Sequence, residues 1–193
     1  MSPHATDRPR ERALRRDALR HREALLEAAA VCFSERGYAV PLEEIAERAG
    51  VGRGTLYRNF RDRMSLALAI FGRELDRAAA LVEPERPLRE TMVEVAREGI
   101  RGGGLFTRLA AEMPPTGADL AAFEALRARF EALLTPVVER GRASGELRAD
   151  VTAAQLALAT RMVGSLLHPI HDDAAIERIT GEALDILFRG LAP

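Results

Sequence analysis

Residues 41–60 read PLEEIAERAGVGRGTLYRNF, and this stretch decides the fold. The buried face of a first short helix is marked by apolar residues at helical spacing, which are Leu42, Ile45 and Ala49. Gly50, Val51 and Gly52 interrupt that helix, and Gly50 can adopt the left-handed conformation of a tight turn at little cost. A second short helix runs from Arg53 to Phe60, so the pattern predicts a helix-turn-helix.

Polar and cationic side chains face outward on the second helix, and none of them is acidic. They belong to Arg53, Thr55, Tyr57, Arg58 and Asn59. Ile45 and Leu56 are expected to anchor the two helices to the helix before them, while Val51 fills the space inside the turn. Outward side chains of this kind contact phosphates and base edges when a helix lies in the major groove of DNA. The pattern therefore favours DNA binding over the alternative, an ordinary solvated helix face.

Longer helices are predicted on both sides of the motif. Before it, a buried stripe begins near Arg16, and Gly37 is suited to end that helix in a left-handed conformation. The residues of the stripe are Leu19, Leu25, Leu26, Ala29 and Phe33. After the motif, Asp62 is a suitable N-cap for a long helix that starts at Arg63.

Over residues 22–66, about a quarter of the chain, the sequence resembles the TetR family of bacterial regulators. The matching residues are Leu25, Leu26, Ala28, Ala29, Phe33, Gly37, Tyr38, Leu42, Ile45, Ala46, Ala49, Gly50, Val51, Gly52, Gly54, Thr55, Leu56, Tyr57, Phe60 and Leu66. The resemblance implies an all-α protein with an N-terminal three-helix helix-turn-helix DNA-binding domain and a larger C-terminal helical domain for ligand binding and dimerisation. We accordingly expect a disordered basic arm at 1–12, the DNA-binding domain at 13–62 and the helical ligand-binding and dimerisation domain at 63–193.

The resemblance also implies roles for individual residues of the motif. Tyr57 resembles the residue that binds a backbone phosphate through its hydroxyl, and Thr55 resembles a phosphate or base contact at the start of the recognition helix. Arg53 and Arg58 occupy variable positions that tend to read bases. Arg63 lies where the family usually has a phosphate-binding lysine.

Two departures from the family pattern bear on which operator sequence is preferred. Val40 and Pro41 replace the usual pair of threonines in a segment one residue shorter, so a hydroxyl cap and its phosphate contact are missing. Asn59 stands where histidine is common. Neither change removes the DNA-binding face.

The function implied by the resemblance is that of a sequence-specific DNA-binding transcriptional regulator, a repressor that a small-molecule ligand releases from its operator. A homodimer on a pseudo-palindromic double-stranded operator is implied as well, because two recognition helices must lie one DNA turn, about 34–36 Å, apart. Activation instead of repression stays open, as does the identity of the ligand. We expect no cofactor and no covalent chemistry.

The composition favours packed helices and excludes several classes of protein. Aromatic residues make up only 5% of the chain and alanine and leucine dominate, which favours helices over sheets. The absence of lysine removes Walker-type phosphate loops and Schiff-base chemistry. A single cysteine, Cys32, excludes an internal disulfide framework and fits a reducing, cytoplasmic setting. We expect neither a secretory signal nor a membrane span.

Charge is distributed unevenly along a chain whose net charge is −1. Residues 1–22 hold seven arginines against three acids, whereas residues 64–193 hold 15 arginines against 19 acids. A basic front end suits docking to a polyanion. For the arm at 1–12, contact with the minor groove or phosphates and a merely solubilising tail are equally open interpretations.

Five further helices are predicted after a linker at residues 83–87, over 88–101, 105–113, 118–142, 153–168 and 174–189. The resemblance implies that the last two pair with their symmetry mates in a dimer. The apolar residues that recur at helical spacing there are Leu156, Ala159, Val163, Leu166, Leu167 and Ile170, followed by Ile176, Ile179, Ala183, Ile186, Leu187 and Gly190. The alternative is that these residues belong to an intramolecular core.

An apolar ligand pocket is predicted between residues 88 and 167. Its lining is expected to be rich in methionine and phenylalanine, whose side chains suit an adaptable hydrophobic site. The candidate residues are Met92, Phe106, Leu109, Met113, Phe123, Phe130 and Met162. For any one of them, plain core packing is the alternative.

No metal site and no catalytic constellation is predicted. His168 and His171 flank a proline that prevents helical spacing, so a loop between two helices is the simpler interpretation. Cys32, beside Phe33, is interpreted as a small hydrophobe in preference to a redox sensor. Two rival classes remain, a helical enzyme and an architectural or partner-binding protein, and the enzyme lacks any recognisable nucleophile–base pair.

Overall fold

The computed structural model describes residues 8–83, 85–101, 115–166 and 172–191. Within these ranges the chain forms eight α-helices and no strand. They are α1 (Arg8–Arg36), α2 (Leu42–Arg48), α3 (Arg53–Asn59), α4 (Arg63–Leu81), α5 (Leu88–Arg101), α6 (Gly117–Ala143), α7 (Ala153–Leu166) and α8 (Asp173–Leu191). The prediction of an all-α protein is confirmed.

Helix α1 begins at Arg8, earlier than the apolar periodicity predicted. Residues 8–12, expected to belong to a disordered arm, are therefore helical, and residues 1–7 of that arm lie outside the described part of the chain. Intrinsic propensity explains the difference, because residues 10–16 are arginine, glutamate, alanine and leucine, which lose little rotamer freedom in a helix. Pro9 does not oppose this start, since proline is tolerated in the first helical turn.

The buried stripe of α1 supports the helices that follow it. Leu25, Ala29 and Phe33 are buried as predicted, whereas Leu19 is 66% exposed. The ring of Phe33 stacks on the ring of Tyr38, just beyond the end of α1, with centroids 4.7 Å apart. Helix α1 contacts both α2 and α3, so it is the platform on which the helix-turn-helix rests.

Two compact units divide the chain, Met1–Ile70 and Phe71–Pro193. The division falls inside α4, beyond the predicted boundary at 62/63, because α4 continues without a break from Arg63 to Leu81. A reciprocal cap fixes the start of this helix. The amide of Ser65 donates to Asp62 Oδ1 at 2.8 Å and the amide of Asp62 donates to Ser65 Oγ at 3.1 Å, which confirms the predicted N-cap.

The second unit is a helical core in which α5 and α6 pack against α7, and α5 and α7 pack against α8. Its buried side chains include Met92, Phe130, Leu134, Val137, Leu156, Val163 and Leu184. Gly141 permits a close approach, since a Cβ there would lie 2.8 Å from Leu147 Cδ1. The helices predicted over 88–101, 118–142, 153–168 and 174–189 correspond to α5–α8, and the helix predicted over 105–113 lies outside the described residues.

The face of α7 predicted to pair with a symmetry mate belongs to the core of its own unit. Leu156, Ala159 and Val163 are all buried within the single chain. The residues that face outward instead are Leu158 and Met162, which are 50% and 54% exposed. The reason is that α7 packs against α5, α6 and α8, and this contact consumes its most apolar stripe.

On α8 the predicted stripe is divided between the core and the surface. Ile179, Ala183 and Leu187 are partly buried against the core, whereas Ile186 is 70% exposed. Leu167 and Ile170 lie outside the described residues. The outward apolar positions on α7 and α8 are therefore Leu158, Met162 and Ile186 in the part of the chain that the structure describes.

Candidate nucleic-acid interface

A tight turn joins α2 to α3 as the sequence predicts. Gly50 has φ +67°, a left-handed conformation that strains any residue with a Cβ. The amide of Gly50 donates to the Glu47 carbonyl at 3.0 Å, and the amide of Val51 donates to the Ala46 carbonyl at 3.0 Å. These bonds close α2, and the next helix begins at once, with the Thr55 amide donating to the Gly52 carbonyl at 2.9 Å.

Burial and an arginine brace hold α3 in place. Ile45, Leu56 and Phe60 are at most 3% exposed. The guanidinium of Arg22, on α1, lies 4.5 Å from the centre of the Phe60 ring and also donates to the Asn59 carbonyl at 3.4 Å. The sequence shows Arg22 only as one of seven N-terminal charges, because a contact across 37 residues leaves no local pattern in the sequence.

The outward face of α3 carries three prominent hydrogen-bond donors. The side chain of Arg53 is 70% exposed, Tyr57 is 49% exposed, and Arg58 is exposed as well. Thr55 and Asn59 are partly buried. Helix α3 contains no acidic residue, so this face presents donors and positive charge to whatever lies in front of it.

Two of the predicted DNA contacts also bond within α3. The Nη2 atom of Arg58 donates to Thr55 Oγ1 at 3.1 Å, and the Nδ2 atom of Asn59 donates to the Thr55 carbonyl at 2.8 Å. The amide of Asn59 is thus turned toward its own helix. Arg58 keeps further N–H groups available, because a guanidinium has five.

Arg63 bonds to a part of the protein other than α3. Its guanidinium donates to the backbone carbonyl of Tyr38 and the side chain is partly buried. The bond connects the start of α4 to the loop between α1 and α2. Its predicted role as a phosphate contact stays a prediction.

Glu43 is a component of the face that the sequence reasoning missed. Its Oε1 atom accepts a hydrogen bond from Arg53 Nη2 at 2.5 Å and another from Tyr57 Oη at 3.1 Å. The pKa of Glu43 is lowered, first by the hydrogen bond from its own backbone amide and then by those from Arg53 and Tyr57. The sequence pattern does not single out Glu43, because its partners are 10 and 14 residues away in the sequence.

The predicted ligand-pocket residues have different environments. Met92, Phe123 and Phe130 are buried, while Met162 is 54% exposed on the surface of the single chain. Phe106, Leu109 and Met113 lie outside the described residues. A cavity of about 10 Å³ beside Met92 is large enough for roughly one water molecule, whereas ligand sites measure hundreds of Å³. The pocket therefore stays a prediction.

A buried carboxylate on α4 has a strongly raised pKa. Glu74 is 9% exposed, and burial raises its pKa to about 8. The guanidinium groups of Arg73 and Arg77 oppose this rise and the carboxylate of Glu98 adds to it. Glu98 is itself 5% exposed, and its Oε1 atom lies 3.8 Å from Arg77 Nη1. At neutral pH Glu74 is therefore mostly protonated.

The other features considered in the sequence, Cys32 and the histidine-containing segment, add no second candidate site among the described residues. Cys32 is free and buried in α1. No cluster of three or more histidine, cysteine or acidic side chains suited to a metal ion is found among the residues with described positions. Most of the segment from His168 to Asp173 lies outside them. No helix in the described ranges is long and apolar enough to cross a membrane.

Two comparisons with known proteins match the part of the chain that contains the helix-turn-helix. Residues 25–70 match the family model described as bacterial regulatory proteins of the tetR family. An HTH-type transcriptional regulator of Staphylococcus aureus (strain USA300) is 38% identical over 64 residues, which are 33% of this chain and 35% of that protein. The match thus spans about a third of that curated relative.

The solved structures extend the likeness to most of the chain. The TetR transcription regulatory protein from Mycobacterium vanbaalenii is 30% identical, covers 93% of this chain and 99% of its own, and superposes with a TM-score of 0.61. The chain belongs to the TetR family. A gamma-butyrolactone receptor described as ArpA-like also matches this TetR-family chain, with 26% identity, coverage of 92% and 90%, and a TM-score of 0.59.

Proposed function

We propose that this TetR-family protein is a sequence-specific DNA-binding transcriptional regulator, a repressor that leaves its operator when a small molecule binds. The observation that carries the proposal is the face of α3. A short helix, braced from behind by Leu56 and Phe60, presents Arg53, Tyr57 and Arg58 outward and carries no acid. That is the arrangement with which a recognition helix enters the major groove.

Each exposed donor has a contact that suits its chemistry. Arg53 and Arg58 can each offer two N–H groups to the O6 and N7 atoms of a guanine, and the Tyr57 hydroxyl can donate to a phosphate. Thr55 supports Arg58 through its hydroxyl, so it acts on the same contact. Asn59 and Arg63 hold bonds within the protein, and we therefore assign them to the edge of the interface.

Gly54 gives independent support to a close approach by DNA. Nothing lies within 4 Å of the position that a Cβ would take at this residue, so the protein's own packing does not require glycine there. Glycine in a helix costs about 1 kcal/mol relative to alanine. We infer that glycine at this position leaves room for a DNA backbone to come close to the start of α3.

Homodimerisation would bring two such faces to one side of a pseudo-palindromic operator, with recognition helices about 34–36 Å apart. The outward residues Leu158, Met162 and Ile186 are candidates for that contact, because large apolar side chains so exposed are suited to burial against a second copy. We infer that they replace the stripe of Leu156, Ala159 and Val163 that the sequence had suggested.

A small-molecule effector in the second unit would complete the regulator. The likeness to a gamma-butyrolactone receptor supports an effector site there. The buried side chains of Met92, Phe123 and Phe130 remain its candidate lining. Such an effector releases DNA only if it binds the DNA-incompatible shape of the dimer more tightly than the other. We propose no covalent chemistry, and a cytoplasmic location follows from acting on a bacterial chromosome.

Selection of bound duplexes from a random pool tests the proposal. The random region must be long enough to hold two half-sites, and an Arg58→Ala pool run in parallel serves as the control. We expect a pseudo-palindrome with half-sites about 10 base pairs apart, centre to centre, whose consensus weakens at one or two positions in the control. Pools without any enriched sequence would contradict a sequence-specific regulator.

A further inference from the structure

The carboxylate of Glu43 occupies the donors that α3 would offer to DNA. A single oxygen, Oε1, accepts from Arg53 at 2.5 Å and from Tyr57 at 3.1 Å. Arg53 and Tyr57 are one helical turn apart, so both belong to the same side of α3. Glu43 lies on α2 and its side chain is 38% exposed, which leaves it within the surface that faces outward.

An acid in a DNA-binding face has two opposite consequences. It repels phosphates and neutralises Arg53, and both effects lower the affinity for any duplex that is held by its backbone alone. It also fixes the guanidinium of Arg53, because a hydrogen bond through Nη2 restricts the rotation of the long side chain. The other N–H groups of Arg53 stay available for a base, since the guanidinium has five donors in a rigid fork.

We propose that Glu43 is a specificity-determining positioning residue, which directs Arg53 toward a guanine edge and withholds Arg53 and Tyr57 from indiscriminate phosphate binding. This inference rests on the proposed DNA binding by α3. Complexes with random sequence depend almost entirely on phosphate contacts, so Glu43 weakens their affinity. At a cognate site the base contact of a pre-positioned Arg53 offsets this loss of affinity.

A pair of isosteric substitutions on α2 separates this role from a simple change of charge. Glu43→Gln removes the ionised acceptor, and Glu47→Gln removes the same charge one turn along the same helix, at an exposed residue. Fluorescence anisotropy gives the affinity of each protein for a random-sequence duplex and for the selected operator, at several salt concentrations. Circular dichroism confirms that both variants keep the helical content of the unaltered protein.

The expected result is a loss of selectivity in Glu43→Gln alone. Relative to Glu47→Gln, it binds random duplex about two- to fivefold more tightly, the range that an exposed ion pair supports. Its salt dependence on random duplex steepens by about one phosphate contact, a slope change of roughly 0.9. Its operator affinity does not rise, so the ratio of operator to random affinity falls.

A second background makes the role of the two donors explicit. In a protein carrying both Arg53→Ala and Tyr57→Phe, Glu43→Gln and Glu47→Gln should have equal effects on random duplex, because both donors that Glu43 contacts are gone. Equal effects of the two variants in the unaltered background, or an equal gain on operator and random duplex, would overturn the proposal for Glu43 while leaving DNA binding intact. Absence of duplex binding by the unaltered protein would instead overturn the proposed function, and this inference with it.

Discussion

The two units of the chain differ in where their notable polar residues lie, exposed in the first unit and buried in the second. In Met1–Ile70 the candidate functional residues lie on the exposed face of a short helix, where Arg53 and Tyr57 also contact Glu43. In Phe71–Pro193 the most unusual groups, Glu74 and Glu98, are buried. An exposed polar face can be predicted from the sequence of its own helix. A buried site cannot, because its properties depend on the neighbours that the fold places around it.

The largest expected effect concerns the buried acid of the second unit. Because the pKa of Glu74 is raised to about 8 in the folded protein, the unfolded chain ionises first as pH rises, and the free energy of unfolding falls between about pH 4.5 and about pH 8. The shift corresponds to roughly 3–5 kcal/mol. Glu74→Gln should flatten this fall and exceed the unaltered protein in stability at pH 8.

Urea unfolding followed by circular dichroism at a series of pH values measures the effect. Glu139→Gln, at an exposed position on α6, is the control and should keep the pH dependence of the unaltered protein. Parallel curves for Glu74→Gln and the unaltered protein would show that the buried acid does not control stability.

Two glycine-to-alanine substitutions test whether the core of the second unit is as closely packed at Gly141 as described. Gly141→Ala inserts a Cβ 2.8 Å from Leu147 and 3.1 Å from Leu88 and should cost about 1–3 kcal/mol of stability. Gly181→Ala, where nothing lies within 4 Å, should stabilise α8 by about 0.5–1 kcal/mol. Thermal unfolding distinguishes them, and equal shifts of the two variants would contradict the packing described at Gly141.

The sequence predicted the first unit better than the second for a physical reason. Its turn depends on spacing within ten residues and on Gly50, so the pattern of residues 41–60 was sufficient. The faces of α7 depend on which helices surround it, and Leu156 and Val163, expected at a dimer interface, are in the core instead. Both surfaces of a helix can be apolar, and only the packing decides which is inside.

The same limit applies within the candidate site. Arg53, Tyr57 and Arg58 were predicted from the polar pattern of α3, and their exposure agrees with that pattern. Glu43 and Arg22 were missed, because they reach α3 from other helices. Contacts between helices that are distant in sequence leave no periodic pattern from which they could be predicted.

On the first unit, Arg58→Ala tests base reading. We expect the affinity to fall by about 1–3 kcal/mol at sites with the preferred base and to change little at sites without it, because a bidentate contact to guanine is lost. Binding assays on the selected operator and its single-base variants measure this. An unchanged preference at every position would remove Arg58 from the residues that read bases.

The smallest expected effect comes from a substitution at Gly54, which should change stability and DNA affinity in opposite directions. Gly54→Ala should raise the free energy of unfolding by about 0.5–1 kcal/mol, since alanine favours a helix and meets no neighbour within 4 Å. Operator binding should weaken in the same variant, because the added methyl group obstructs a closely approaching backbone. A variant that is more stable and binds DNA equally well would remove the argument from Gly54.

The central claim, that α3 reads sequence in duplex DNA, is tested most directly by competition. A labelled selected operator bound to the protein is titrated with unlabelled operator and, separately, with unrelated duplex of equal length at a fixed salt concentration. The account predicts that the unrelated duplex is weaker by about a thousandfold or more. Competition by both duplexes at similar concentrations would contradict it.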